Sequence, residues 1–363
     1  MEDLGLSFSG RSAFVTGHTG FKGSWLSLWL CELGARVVGF SLPPPTKPSN
    51  FEVSQIAERL AGHIIGDIRD RRTLALAMRE ARPDLVIHMA AQPLVRESYA
   101  QPAETFETNV QGTVNVLEAV RQLEGPCQVI VVTSDKCYEN AGQLWGYRET
   151  DRMGGRDPYS ASKGAAELVV RSYRESFFNP AELASHGKKV ASVRAGNVIG
   201  GGDWAKDRLV GDLVRAFAAG ETALLRNPRS IRPWQHVLDA LHGYLMLAAR
   251  MARDDAAWLC EGWNFGPDQG TEWPVERLAA SFCEAWPGAC CRTDGETAQA
   301  GGETITLRLD SSKARLLLGW RPRWNTDQAV RHTVSWYRRH YAQGGSMRQT
   351  CLDQLKAFTA TET

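Results

Sequence analysis

At 363 residues, 43% apolar and 23% charged, the chain has room for two closely joined units and a sizeable core. Its 42 basic residues face 41 acidic ones, and this balance argues against nucleic acid as a partner. No apolar run reaches the roughly 20 residues that cross a bilayer, and residues 1–9 carry no basic leader, so no membrane attachment and a cytoplasmic location are expected. The eight cysteines are scattered without a CxxC spacing, which leaves no zinc site and predicts reduced thiols.

In chain order, short β-branched runs alternate with helical stretches, the pattern of repeated βα units around a parallel sheet. Strands are predicted at 12–16, 36–40, 62–66, 85–89, 129–133 and 190–194, and helices at 22–33, 71–82, 105–123 and 160–177. The first strand runs into Gly17, Gly20 and Gly23 at the start of a helix. Glycine in such a turn lets the backbone approach a pyrophosphate, and the helix N-terminus favours its charge. His18 and Lys22, in the same turn, read as solvated. An acid that would grip the adenosine ribose is missing, because the second strand ends in Ser41 and a proline-rich loop at 42–49 comes next. No arginine stands there for a 2′-phosphate, so NAD is favoured over NADP.

Thr133, Ser134 and Asp135 close the fifth strand, where open α/β sheets bind ligands. Tyr159 and Lys163 lie one helical turn apart on one face, and a lysine so placed lowers a phenol pKa towards that of a usable base. After Gly196 the pattern changes to Gly-rich loops and Trp-containing turns. The expected organisation is a doubly wound parallel α/β domain over 1–195, joined by part of 236–262, with a smaller α/β substrate domain mainly over 196–363. A terminal docking helix is expected at 347–358.

Together these pieces resemble the extended short-chain dehydrogenase/reductase family over nearly the whole chain. The matching segments are Thr16-Gly-His-Thr-Gly-Phe-Lys-Gly23, Gly66-Asp-Ile-Arg-Asp70, His88-Met-Ala-Ala91, Asn109, Ser134 and Tyr159-x-x-x-Lys163. The resemblance implies a Rossmann-type fold and NAD, with Gly17, Gly20, Phe21, Gly23, Ser41, Gln92 and Asn109 around the cofactor. It puts Asp67 and Ile68 at the adenine and Ala90 and Ala91 along the cleft. It also implies that Tyr159 is the base, that Lys163 holds the nicotinamide ribose, and that Ser134 bonds the reacting hydroxyl.

Within the family, Thr133-Ser-Asp-Lys-Cys-Tyr138 resembles the hexose 4,6-dehydratases, which carry an acid where sugar epimerases carry small or neutral residues. Asp135 matches that acid. Lys136, where the dTDP-glucose enzymes have glutamate, is similar to the branch acting on CDP-glucose. So are Ala91-Gln-Pro-Leu-Val-Arg96, Arg194-Ala-Gly-Asn-Val-Ile-Gly-Gly-Gly-Asp-Trp204 and Ile231-Arg-Pro-Trp-Gln-His-Val237. The resemblance implies elimination of water from CDP-glucose, with Lys136 either a neutral base at C5 or a charged stabiliser of the enolate. Asn197, Arg208 and Arg232 are the expected diphosphate residues, and Trp204 is a candidate ligand contact. Arg226 and Arg229 read as solvated. UDP- or dTDP-hexose 4,6-dehydration, 4-epimerisation and a noncatalytic NAD-binding scaffold are the competing readings. The resemblance further points to a homodimer or homotetramer paired through 105–123 and 160–177.

Overall fold

A computed structural model of the chain describes residues 4–253, 256–268, 270–293 and 307–361. Seven strands form its main sheet: β1 (Ser12–Thr16), β2 (Arg36–Ser41), β3 (Gly62–Ile65), β4 (Leu85–His88), β5 (Cys127–Val132), β6 (Lys188–Ala195) and β7 (Gly262–Phe265). Every pairing is parallel and the order is 3-2-1-4-5-6-7. The central strands are buried along their full length, as apolar runs covered on both faces must be.

Helices Arg71–Ala81, Gly112–Arg121 and Pro158–Ser176 cover one face, where Leu74, Val116 and Val170 join Phe14 and Val129 in one apolar cluster. Helices Phe21–Glu32, Val237–Met251, Thr326–Gln343 and Arg348–Ala360 belong to the other face. The apolar cluster there runs without a break into Val210, Leu213 and Phe282 of the C-terminal half. The expected docking helix spans Arg348–Ala360, and its Phe358 packs edge-on against Trp29 at 5.7 Å between ring centroids.

The six expected strands form within two residues of their expected ends. β7 is an addition to them: Gly-Trp-Asn-Phe is too short and unpatterned to read as a strand, and its pairing with β6 defines it. The helix expected at 105–123 is interrupted. Pro102–Phe106 gives way to a π-helical turn at Glu107–Gln111 before Gly112–Arg121 resumes. Such turns are common at functional positions, and this one carries Asn109.

The order of strands fixes where a ligand can lie. The chain winds outward from β1 to β3, then returns to the other side of β1 with β4, leaving a crevice beyond the carboxyl ends of β1 and β4.

Candidate active site

Gly17 leaves β1 with φ +77°, and a Cβ on it would stand 2.6 Å from the amide nitrogen of Ala90, just past the end of β4. A Cβ on Gly23 would run into the Gly17 carbonyl oxygen. The two glycines therefore let the turn, the adjoining helix and the β4 loop come together closely enough to leave a backbone-walled groove. Gly20 is the N-cap of helix Phe21–Glu32, and no side chain caps the helix, so its first amides remain available to an anion.

That groove opens into a cavity of about 780 Å³ that spans the crevice. Gly17, Gly20, Phe21, Gly23, Ser41, Asp67, Ile68, Ala90, Ala91 and Gln92 all line it. The Ser41 hydroxyl lies 2.9 Å from that of Thr19, which donates to the Leu42 carbonyl at 2.8 Å. Burial works against the charge of Asp67, but the Arg69 backbone amide and guanidinium outweigh it and hold the carboxyl below its ordinary range. Asn109 does not line the cavity. Its amide clamps Gln92, accepting from Gln92 N at 2.8 Å and donating to Gln92 O at 3.1 Å, and it donates to Ser162 at 2.8 Å. It supports the groove from behind.

Ser134, Asp135, Lys136, Tyr159 and Lys163 all line the middle of the cavity. Helix Pro158–Ser176 delivers the last two. Asp157 caps it by accepting from Ser160 N at 2.9 Å, and Pro158 suits its first turn. Ser134 donates to Asp135 Oδ1 at 3.0 Å and accepts from Lys136 N at 3.2 Å. The other Asp135 oxygen, Oδ2, is buried without a hydrogen-bond partner. Burial raises the Asp135 pKa against the pull of Lys136, Ser134, Arg232 and Lys22, so the carboxyl holds its proton more firmly than an exposed one does.

The expectation that Lys163 lowers the phenol pKa needs correction. Burial dominates both groups, pushing Tyr159 up to about 12 and Lys163 down to about 8. For Tyr159 the nearby Ser134 hydroxyl works in the opposite direction. Glu167, one turn beyond Lys163, favours the ammonium. Its own carboxylate is held by Arg194 at 2.8 Å, Ser192 at 2.7 Å and the Thr133 hydroxyl at 2.5 Å, which fastens the helix to the end of β5.

Two further corrections concern the glycine turn. His18 is fully buried, its Nε2 2.7 Å from His63 Nδ1, and its ring takes the room left by the missing side chain of Gly39. Burial, then the neighbouring His63, brings its pKa down to about 3. Lys22 lines the cavity rather than the solvent, and burial, then the Arg208 cation, lowers it to about 8. A helix that is apolar around its circumference has no solvated face at its first turn, and the composition of 21–32 carried that signal.

Asn197, Arg208 and Arg232 line the same cavity. Arg208 donates to Asp203 at 3.0 Å, and Arg232 is buried. Trp204, the candidate ligand contact, does not line the cavity: its indole packs among Trp336, Tyr337 and His340 and donates to Tyr341 Oη at 3.1 Å. Arg226, expected in solvent, lines the cavity and bridges Asp207 and Asp212, each at 2.7 Å, whereas Arg229 is exposed. Among the described residues, no His, Cys, Asp and Glu group could hold a metal, and no helix is long and apolar enough to cross a membrane.

The arrangement combines a dinucleotide-shaped groove, a Ser–Tyr–Lys set suited to moving a hydroxyl proton, and a neighbouring buried acid. The family profile described as GDP-mannose 4,6 dehydratase matches residues 14–333. A CDP-glucose 4,6-dehydratase of Salmonella typhimurium is 52% identical over 332 residues, 91% of each chain. A dTDP-glucose 4,6-dehydratase of Xanthomonas campestris is 26% identical over 341 residues, 89% of this chain and 92% of the relative. Among solved structures, the dTDP-glucose 4,6-dehydratase of Streptomyces venezuelae with NAD bound has a TM-score of 0.73 at 25% identity, covering 91% of this chain and 98% of that one.

Proposed function

The chain belongs to the GDP-mannose 4,6 dehydratase family of extended short-chain dehydrogenases/reductases, and from that premise we propose that it converts CDP-D-glucose to CDP-4-dehydro-6-deoxy-D-glucose and water. The cofactor is NAD, and the groove fits it: a Cβ at Gly17 or Gly23 would fill the space beside the uncapped helix N-terminus where a pyrophosphate would lie. Gly17, Gly20 and Gly23 would hold its pyrophosphate, and NAD bound there would supply a hydride acceptor for sugar C4 and a hydride donor for C6.

Tyr159 takes the proton of the C4 hydroxyl, and Ser134, which lines the same cavity, orients that hydroxyl. Lys163 holds the cofactor ribose. The C4 ketone acidifies the C5 proton, which passes to a base, with Lys136 the residue placed beside Asp135 for it. Asp135, its acid form favoured by burial, protonates the C6 hydroxyl as it leaves as water. Hydride at C6 and a proton at C5 complete a cycle with no net oxidation. Asn197, Arg208 and Arg232 receive the diphosphate, for which a planar guanidinium offers paired donors.

The observation that carries this reading is the juxtaposition of the acid turn Ser134–Asp135–Lys136 with Tyr159 and Lys163 in one cavity. Oxidation alone needs Tyr159; loss of a hydroxyl also needs the acid. In the same reading, residues 1–195 with part of 236–262 form the cofactor domain, and 196–363 mainly hold the nucleotide sugar. Copies pair as a homodimer or homotetramer in the cytoplasm through 105–123 and 160–177, where Phe106, Leu168 and Phe177 stand exposed. Mass spectrometry of CDP-, UDP-, dTDP- and GDP-glucose incubated with enzyme and NAD tests the proposal. Loss of one water from CDP-glucose is expected, and its survival intact would overturn the reading.

A further inference from the structure

One wall of the cavity is built by helix Leu209–Ala218, strand Ala223–Leu225 and the residues just after it. With the hexose at Ser134 and Tyr159 and the diphosphate at Asn197, Arg208 and Arg232, this wall adjoins the diphosphate site, because Arg208 is the N-cap of its helix. Leu209, Leu213, Leu224 and Val275 give it an apolar surface suited to the faces of a flat base, and Leu224 is 43% exposed there.

Set into that wall is a charged pair. Arg226 Nη2 donates to Asp212 Oδ2 at 2.7 Å, and both residues line the cavity with about a third of each side chain exposed, 38% and 35%. Each is anchored a second time. Arg226 Nη1 bonds Asp207 Oδ1 at 2.7 Å, and Asp207 is also held by Arg96 at 3.1 Å. Asp212 Oδ1 accepts from Arg215, whose other nitrogen donates to the Trp204 carbonyl at 2.7 Å. The pair is thus fixed before any ligand arrives, and it presents an acceptor beside a donor.

We infer that Asp212 and Arg226 read the base of the substrate as cytosine, Asp212 accepting from the 4-amino group and Arg226 donating to ring N3. The inference rests on the dehydratase reading and names what sets its substrate. Cytosine offers a donor at position 4 and an acceptor at N3. Uracil and thymine reverse both, with a carbonyl oxygen at position 4 and N–H at N3, so an oxygen would meet the carboxylate and an N–H the guanidinium. A carboxylate oxygen can accept more than one hydrogen bond, so Asp212 can serve the base while keeping its arginines.

The test measures kcat/KM for CDP-, UDP- and dTDP-glucose with the NAD-loaded enzyme. The wild type is expected to favour CDP-glucose by roughly 10- to 100-fold, the discrimination of one paired donor–acceptor contact. In Asp212→Asn the side-chain amide can turn either edge to the base, so the preference should shrink to roughly threefold or less. Arg226→Gln should narrow it in the same way. An equal fall on all three substrates, with the ratio intact, would make the pair a structural clasp and overturn the inference. Should the variants not fold, product inhibition of the wild type decides: CDP is expected to inhibit at least about tenfold more tightly than UDP, and equal inhibition overturns the inference. Loss of water from none of the three substrates would instead sink the dehydratase reading itself, an outcome distinct from a flat base preference.

Discussion

Tyr159, Lys163 and Asp135 face one another inside a buried cavity, and burial favours the neutral form of each, which suits the proposed acid Asp135 and opposes both the phenolate of Tyr159 and the ammonium of Lys163. Tyr159 is pushed up to about 12 in the free cavity, so its work as a base depends on the charge brought by the cofactor. Tyr159→Phe should therefore cut kcat by roughly 10²- to 10⁴-fold while substrate affinity changes little, because the lost hydroxyl acts in the transition state. A near-normal kcat would remove Tyr159 from the mechanism. Lys163, lowered to about 8, loses its ammonium as pH rises through that value. That loss takes away a charge the proposed reaction uses, so the rate should fall as pH rises above about 8. A profile that stays flat well above pH 8 would contradict these assignments. The residue types were legible as motifs, since Tyr and Lys four apart and an acid after a strand are local patterns. Their electrostatics were not, because the burial that outweighs the Tyr–Lys interaction comes from elements distant in sequence.

Among the elements, the turn between β1 and its helix depends on space that only glycine leaves. Gly17→Ala would force a side chain into a positive-φ position and against Ala90, at a cost of about 1–3 kcal/mol. A lower Tm and weaker NAD binding should appear together, and an unchanged NAD titration would show that the crossing does not shape the groove. Helix Pro158–Ser176 is fastened to the sheet by Glu167 and Arg194, each 5% exposed in its side chain. Removing one partner of a buried pair leaves an uncompensated charge and costs about 3–5 kcal/mol. Glu167→Gln should accordingly lower stability towards urea by several times more than the exposed-pair change Arg171→Gln, and equal effects would refute the fastening role. The strands and helices legible in advance were those with a repeating apolar pattern. β7 and the burial of His18 and Trp204 were not, because each is set by a partner far along the chain: β6, His63 and Trp336 respectively.

At the scale of the molecule, strand order places a crevice between β1 and β4, and the C-terminal half closes over it so that one cavity holds groove, acid turn and arginines. The glycine turn and the long motif strings made this combination legible, since each lies within a short stretch of sequence. The wall built by helix Leu209–Ala218 was less so, and Arg226 read as solvated because nothing near it in sequence shows that Asp207 and Asp212 enclose it. One cavity for both steps carries a chemical requirement: oxidation at C4 and elimination at C6 must occur on a sugar that never leaves. Asp135→Asn separates the two, since it cannot donate the proton the C6 hydroxyl needs, and release of dehydrated product should slow by roughly 10²-fold or more. The most direct measurement traces deuterium placed at C4 of CDP-glucose. Product carrying that deuterium at C6, with solvent hydrogen entering only at C5, is the predicted result; deuterium lost to solvent, or retained at C4, would contradict the proposed dehydration.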